Sequence, residues 1–375
     1  MARSLKIGIT GYPVYGGSGV VATELGLELA RRGHEVHFIT YAQPFRLSQF
    51  VENVYYHEVK VPIYPLFDYP PYSLALAVEM QNTAERRGLD LLHVHYAIPH
   101  ATSAWLATQL MEGRGPRVVT TLHGTDITLV GRDPSYHAIT RFSLRKSDGV
   151  TAVSEFLKRE TVERFEVSAE SIEVIPNFVD LDVYRRDLEP CHRHQFAAPD
   201  EAVIMHISNF RSVKRVSDVV RVFARIHRER PARLVFIGDG PERGHTREVA
   251  EQEGVPDRVA YLGKQDSVAE ILACADLFLL PSDNEAFGLV ALEAMACGVP
   301  VVGSHVGGVP EVVVPPAGTL KPVGDVDGMA EAGLEILEPS RWPEASAAAR
   351  ARAVTFAADV VVPRYEAYYE RVIST

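Results

Sequence analysis

Two glutamates, Glu285 and Glu293, flank the dipeptide Phe287-Gly288 with seven residues between them. The apolar run at 276–281 predicts a buried strand before them, and the apolar spacing that begins at Leu289 predicts a helix after them. A helix start offers unpaired backbone N–H groups that favour a phosphate, and carboxylates accept hydrogen bonds from hydroxyls. Together they indicate a site for a nucleotide sugar; two solvated glutamates at a helix start are the simpler alternative.

A basic turn, Asn209-Phe-Arg-Ser-Val-Lys214, also follows a predicted strand and opens a helix. The planar fork of Arg211 and the point charge of Lys214, beside free N–H groups, are suited to clamp a pyrophosphate. In a chain of net charge −11, a small-anion site is favoured over a solvated basic turn. The turns at 238–241 and 262–265, the latter with Gly263, are expected to hold the nucleobase and ribose through backbone groups.

Histidines suggest a different class of function. His93 and His95 share one face of a predicted strand and His100 follows, so a metal-dependent hydrolase is the cross-class alternative. No Cys, Asp or Glu stands at a ligand spacing in the residues after Asp90, so packed or hydroxyl-bonding histidines are favoured. The Asp-x-Asp pair at 325–327, like that at 180–182, favours capping over a metal-nucleotide site.

A glycine-rich turn at 11–19 follows the first strand, and Gly17-x-Gly19-x-x-Ala22 fits a dinucleotide-binding fingerprint. An NAD site also requires an acidic residue at the end of the second strand, where it would bind ribose. That strand ends in Thr40-Tyr41 without an acidic residue, so NAD is disfavoured. A purely structural glycine turn is favoured over NAD but does not explain three glycines in four positions.

Strands alternate with helices along the whole chain, which predicts an α/β protein with parallel sheets. The best junction lies at 176–182. We therefore predict two Rossmann-like domains that face each other across a cleft, an N-terminal acceptor domain at 1–178 and a donor domain at 179–359. A tyrosine-rich helix at about 360–375 is expected to pack back on the first domain.

Length and composition disfavour several classes of protein, among them membrane proteins, secreted disulfide-linked proteins and zinc proteins. The chain has 375 residues and 46% apolar residues, with no run long enough to span a membrane and no signal peptide at Met1. Cys191, Cys274 and Cys297 are scattered and odd in number, so neither a disulfide framework nor a zinc site is indicated. We expect a cytoplasmic protein without membrane insertion or nucleic-acid affinity, and the oligomeric state stays open.

The chain from Lys6 to Glu311 resembles the retaining glycosyltransferases of family 4, which have the GT-B fold. The Glu-x7-Glu stretch resembles their donor signature. The other matching segments lie at 8–19, 34–40, 44–46, 55–59, 69–72, 93–100, 120–127 and 208–215. Because they include acceptor-side segments, the resemblance is closest to family members that act in the first step of bacillithiol synthesis.

This resemblance implies transfer of N-acetylglucosamine from UDP-N-acetylglucosamine to L-malate, with retention and without a metal or cofactor. Arg211, Lys214, His123 and Glu285 are then the catalytic group, with His123 against the sugar. The donor-binding set is Gly17, Asn209, Gly263, Phe287, Gly288, Leu289 and Glu293. The acceptor-binding set, which needs hydroxyls and a cation for a dicarboxylate, is Ser18, Tyr96, Thr121 and Arg141. A related enzyme with a lipid or polysaccharide acceptor remains the near alternative.

Overall fold

The computed structural model describes residues 3–13, 16–47, 49–62, 65–188 and 192–375. Cys191 and part of the glycine-rich turn, Val14 and Tyr15, lie outside the described residues. The chain forms two compact units: Met1–Asn177 with Asp359–Thr375 is unit 1, and Phe178–Ala358 is unit 2.

Unit 1 contains a seven-stranded sheet whose pairings are all parallel. Its strands are β1 (Lys6–Thr10), β2 (Glu35–Thr40), β3 (Val54–Glu58), β4 (Leu91–His95), β5 (Arg117–Leu122), β6 (Gly149–Ala152) and β7 (Ile172–Val174). The spatial order is β3-β2-β1-β4-β5-β6-β7. The chain reverses direction across the sheet between β1 and β4, and the loops after these two strands border the crevice where such sheets bind ligands.

The central strands of unit 1 are buried along almost their whole length because parallel sheets are covered by helices on both faces. Ile7, Ile9 and Val36 are fully buried. β3 differs: it lies at the sheet edge, where Tyr55 and Tyr56 are exposed. Its partly exposed residues lack the apolar run that predicts a buried strand, so this strand is not predicted from the sequence.

The helices of unit 1 are α1 (Gly17–Arg31), α2 (Tyr72–Arg87), α3 (Thr102–Leu110), α4 (Pro134–Lys146), α5 (Glu155–Phe165) and the C-terminal helix, which we number α12 (Ala358–Ser374). α12 packs on the sheet of unit 1 through buried Tyr365 and Tyr369, and Tyr368 Oη donates to the carbonyl of Val150. None of the helices among the described residues is long and apolar enough to cross a membrane.

Unit 2 contains a six-stranded parallel sheet in the order β10-β9-β8-β11-β12-β13. Its strands are β8 (Ala202–Ile207), β9 (Ala232–Ile237), β10 (Val259–Tyr261), β11 (Leu277–Leu280), β12 (Val301–Ser304) and β13 (Gly318–Lys321). Its helices are α6 (Val216–Glu229), α7 (Arg243–Gln252), α8 (Ala269–Leu272), α9 (Leu289–Ala296), α10 (Val326–Leu337) and α11 (Trp342–Val354). The order reverses between β8 and β11, so the basic turn and the Glu-x7-Glu loop follow the two strands that border the crevice.

Candidate active site

The basic turn of unit 2 is anchored by its aromatic residue. Phe210 is fully buried and adopts a positive φ of 43°, and its N–H donates to Ser208 Oγ over 3.2 Å. Asn209 and Arg211, on either side of it, are exposed. The Arg211 side chain makes no ion pair or hydrogen bond with any residue that the structure describes, so its exposed guanidinium is available to an anionic ligand.

The loop that carries Glu285 is shaped by close backbone packing. The Gly308 N–H donates to the Glu285 carbonyl over 2.9 Å. Gly307 has a φ of +59°, and a Cβ there would lie 1.9 Å from the same carbonyl oxygen. Only glycine fits this approach. Helix α9 then begins at Leu289, with Gly288 at its N-cap in the left-handed region; the backbone N–H groups of a helix's first turn have no partner within the helix and suit a phosphate.

The two loops meet through an ion pair. Lys214 Nζ lies 2.5 Å from Glu285 Oε1, and Ser282 Oγ donates to the same oxygen over 3.1 Å. Both charged side chains are largely buried, with 21% and 13% of the lysine and glutamate side chains exposed. The predicted phosphate-binding and sugar-binding groups are therefore adjacent in space, and each neutralises the other before a ligand binds.

Glu293 lies in the second turn of α9 and is only 7% exposed. Tyr184 Oη donates a 2.8 Å hydrogen bond to its Oε1. Its carboxylate is therefore oriented by a residue from the segment before β8, which no local sequence pattern indicates. Of the remaining donor-binding predictions, Phe287 is buried against Phe356, with ring centroids 5.7 Å apart. Gly263 has a φ of +68° and its carbonyl accepts from Gly238 N–H over 2.7 Å.

In unit 1, two predicted acceptor residues meet directly. α1 begins at Gly17, so Gly17 and Ser18 lie in its first turn. Tyr96 Oη donates to Ser18 Oγ over 2.8 Å. Tyr96 has a φ of +89°, a region that side chains rarely adopt. Such backbone strain persists where the surrounding structure enforces a functional geometry.

A cavity of ≈ 450 Å³ adjoins Tyr96. Its wall is mainly apolar and includes Tyr12, Ile98 and Ile139. Thr125 also lines it. The lining residues that the structure describes include no Lys or Arg, so the cavity itself offers no cation to a carboxylate.

Asp126 organises the loop after β5. Its carboxylate accepts backbone N–H groups of Ala97, Gly124 and His123 at 3.0–3.3 Å. Burial raises the pKa of Asp126 to about 6, although these three N–H groups favour the ionised form. Only the fold shows that this one carboxylate joins the loops after β4 and β5.

His123 contacts a second histidine, His95. Its Nε2 lies 2.7 Å from His95 Nδ1, and the two rings stack with centroids 5.0 Å apart. Burial lowers the pKa of His123 to about 3, and the pKa of His95 lies well below its usual value for the same reason. His123 is therefore neutral near pH 7: it can form hydrogen bonds, but it is too weak a base to take up a proton in the reaction.

Two residues predicted to bind the acceptor, Thr121 and Arg141, contact other side chains of the protein instead. Thr121 is fully buried, and its hydroxyl lies 2.7 Å from His93 Nε2 and 2.6 Å from Thr151 Oγ1. Successive strand residues point to opposite faces, and this one faces the protein interior, so a direct contact with a ligand is not supported. Arg141 does not line the cavity; its guanidinium pairs with Glu166 over 2.7 Å.

The histidine cluster has a hydrogen-bonding role. His93 also contacts Tyr369 of α12 over 2.7 Å, and His100 Nδ1 donates to the His95 carbonyl. In the described part of the chain, no group of three or more His, Cys, Asp or Glu side chains could hold a metal ion. The metal-hydrolase alternative thus receives no support there. Asp325 caps α10 by accepting the Gly328 N–H, as predicted.

Comparison with known proteins agrees with this geometry. The model "Glycosyltransferase Family 4" matches residues 15–183, and "Glycosyl transferases group 1" matches residues 190–353. The chain is 49% identical over 374 residues to N-acetyl-alpha-D-glucosaminyl L-malate synthase of Bacillus anthracis, covering 98% of this chain and 97% of that protein. It is 28% identical to D-inositol 3-phosphate glycosyltransferase of Mycolicibacterium smegmatis, covering 88% and 81%.

Solved structures share the fold. Sucrose-phosphate synthase from Thermosynechococcus elongatus matches with a TM-score of 0.81 and 21% identity, over 99% of this chain and 100% of that chain. Anabaena HepE, solved in complex with UDP and glucose, matches with a TM-score of 0.79 and 21% identity, over the same shares of the two chains. The predicted fold class, with two Rossmann-like domains and parallel sheets, is confirmed.

Proposed function

The chain belongs to the family 4 glycosyltransferases, and from this premise we propose that it moves N-acetylglucosamine from UDP-N-acetylglucosamine to the hydroxyl of L-malate. These substrates are proposed because the chain is 49% identical, over almost the full length of both chains, to a synthase named for this product. The proposal places the enzyme at the first step of bacillithiol synthesis.

The donor is assigned to unit 2. The free guanidinium of Arg211 and the start of α9 at Leu289 are suited to the diphosphate. Lys214 would exchange its contact with Glu285 for a phosphate oxygen, which frees the carboxylate to accept a sugar hydroxyl. Glu293, oriented by Tyr184, would accept the ribose hydroxyls.

We propose that the sugar–phosphate bond breaks on the same face from which the malate hydroxyl attacks. The anomeric carbon then keeps its configuration, and the leaving phosphate oxygen takes the hydroxyl proton. His123 is too weak a base for that proton, and the Asp126 carboxylate already accepts three N–H groups. Arg211, Lys214 and the α9 N-terminus stabilise the charge that grows on UDP, so the reaction needs no metal or cofactor.

The acceptor is assigned to unit 1, beside Ser18 and Tyr96. Arg141 would supply the cation for one malate carboxylate after leaving Glu166, an exposed partner whose loss costs little. One observation favours a second candidate: the apolar wall of the adjoining cavity suits an acceptor with an apolar body, such as a lipid.

The test is release of UDP from UDP-N-acetylglucosamine with L-malate, D-malate, glycerol or a simple sugar as the acceptor. We expect release with L-malate far above that with any other acceptor, and unchanged rates in excess EDTA. Equal rates with glycerol or with D-malate would contradict a fixed malate site. Faster transfer to a long-chain alcohol than to malate would favour the second candidate, and loss of activity in EDTA would overturn the metal-free mechanism.

A further inference from the structure

Two stacked histidines share one proton in unit 1. His95 Nδ1 and His123 Nε2 are 2.7 Å apart, so one of these nitrogens donates and the other accepts. Which one donates decides what the other nitrogen of His123 offers to a ligand. His123 is half-buried, and its Nδ1 has no hydrogen-bond partner within the described residues.

The surroundings of His95 favour one of the two arrangements. His95 Nε2 is buried and makes no hydrogen bond with any described residue. If His95 accepted the shared proton at Nδ1, its own proton would lie on Nε2 as a buried N–H without an acceptor, which proteins rarely tolerate. If His95 donates from Nδ1, Nε2 keeps only an unpaired lone pair, which costs less.

The neighbouring histidines hold His95 in this orientation. The His95 carbonyl accepts the Nδ1–H of His100 over 2.6 Å. The ring of His93 stacks on His95 at 4.6 Å, and His93 is itself bonded to Tyr369 and Thr121. The hydrogen bond to its backbone carbonyl and the stacked ring of His93 therefore fix the position of the His95 ring.

We propose that His95 is a positioning residue that holds His123 as the Nδ1–H tautomer, so that His123 presents a neutral hydrogen-bond donor to its ligand. The inference rests on the proposed function in assigning that ligand as the donor sugar. A sugar hydroxyl oxygen would accept this bond. The low pKa of both rings agrees with a pair that shares a single proton and carries no charge.

The first test reads the tautomer directly. In protein labelled with ¹⁵N-histidine, two-bond ¹⁵N–¹H correlations show which ring nitrogen carries the proton, and a His123→Ala spectrum assigns the signal. We expect Nδ1–H for His123 in the wild-type protein without substrate. Nε2–H in that spectrum would overturn the proposal, whatever the acceptor of the enzyme proves to be.

The second test compares two variants at one position. His95→Asn keeps an N–H donor at the same number of bonds from the backbone as Nδ1, whereas His95→Leu removes the donor. We expect His95→Leu to move His123 toward Nε2–H and to lower kcat by about two- to tenfold, as for a lost neutral hydrogen bond. His95→Asn should restore both the tautomer and most of kcat.

A double-mutant comparison separates positioning from packing. If His95 acts through His123, then His95→Leu should lower kcat in the native background and have no effect in a His123→Ala background. Thermal unfolding shows whether each variant is folded. An equal loss in both backgrounds, or a His95→Asn variant as impaired as His95→Leu, would show that His95 only fills space.

Discussion

Lys214 Nζ and Glu285 Oε1 lie 2.5 Å apart, so the cation expected at the diphosphate and the carboxylate expected at the sugar form one ion pair. We predict that Lys214→Ala lowers kcat by about 10²–10³-fold, because its charge acts on an anion that develops as the bond breaks. Steady-state kinetics with malate saturating is the measurement. A variant with a raised KM and an unchanged kcat would contradict this role.

Glu285→Ala should affect both kinetic constants. The carboxylate holds Lys214 before the donor binds, and it contacts the sugar after exchange. We expect a lower kcat and a higher KM for the UDP-sugar, each by less than the effect of Lys214→Ala on kcat. An effect on KM alone would place Glu285 away from the reacting bond.

The hydrogen bond from Tyr184 to Glu293 gives a milder test of the ribose site. Glu293→Ala should mainly raise KM for the UDP-sugar, because ribose is remote from the bond that breaks. Tyr184→Phe should raise the same KM by about two- to tenfold, since it removes one neutral donor to the carboxylate. Loss of kcat with an unchanged KM in either variant would refute the assignment.

Local sequence patterns predict much of this architecture. Strand β5 (Arg117–Leu122), for example, is rich in β-branched residues and stands between polar turns, a pattern that predicts a strand in an α/β chain. The basic turn and the Glu-x7-Glu loop are likewise placed at the ends of their strands. Strand β3 is missed because an edge strand with exposed tyrosines lacks that pattern.

Local sequence patterns do not show which side chains contact each other when the residues are far apart in the chain. Lys214 and Glu285 are 71 residues apart, and Tyr184 and Glu293 are 109 apart. Nothing in the residues near either glutamate indicates its partner. Thr121 shows a related failure: a contact with the acceptor is predicted for it, but the face on which it lies follows from the register of β5 against β4.

Arg141 should leave Glu166 when malate binds, because their contact involves a glutamate whose side chain is 72% exposed. We predict that Arg141→Ala raises KM for L-malate by about tenfold or more, as for a lost charge-assisted bond, with little change in KM for the UDP-sugar. Glu166→Gln is the matched control and should leave KM for malate unchanged or lower it. An unchanged KM for malate in Arg141→Ala would show that another residue supplies the cation for the malate carboxylate.

Buried histidines predict how stability depends on pH. Burial lowers the pKa of His93 and His123 to about 3 and that of His100 and His206 to about 4, whereas an unfolded histidine titrates near 6.5. The folded state keeps them neutral while the unfolded state takes up their protons. Their contribution is therefore complete above pH about 6.5 and is lost as the pH falls through about 4.

Asp126 acts in the opposite sense, because its folded pKa of about 6 exceeds the unfolded value. Its contribution is complete below pH about 4 and is lost as the pH rises through about 6. Near pH 5, unfolding should thus take up about four protons at these four histidines and release about one at Asp126. The net uptake of about three protons at these five groups implies a slope of about 4 kcal/mol per pH unit, and His57 and His95, whose pKa burial also lowers, act in the same direction. Urea unfolding between pH 7.5 and 5 measures this slope, and Asp126→Asn should make it steeper. A flat profile would show that these histidines are not held neutral in the folded protein.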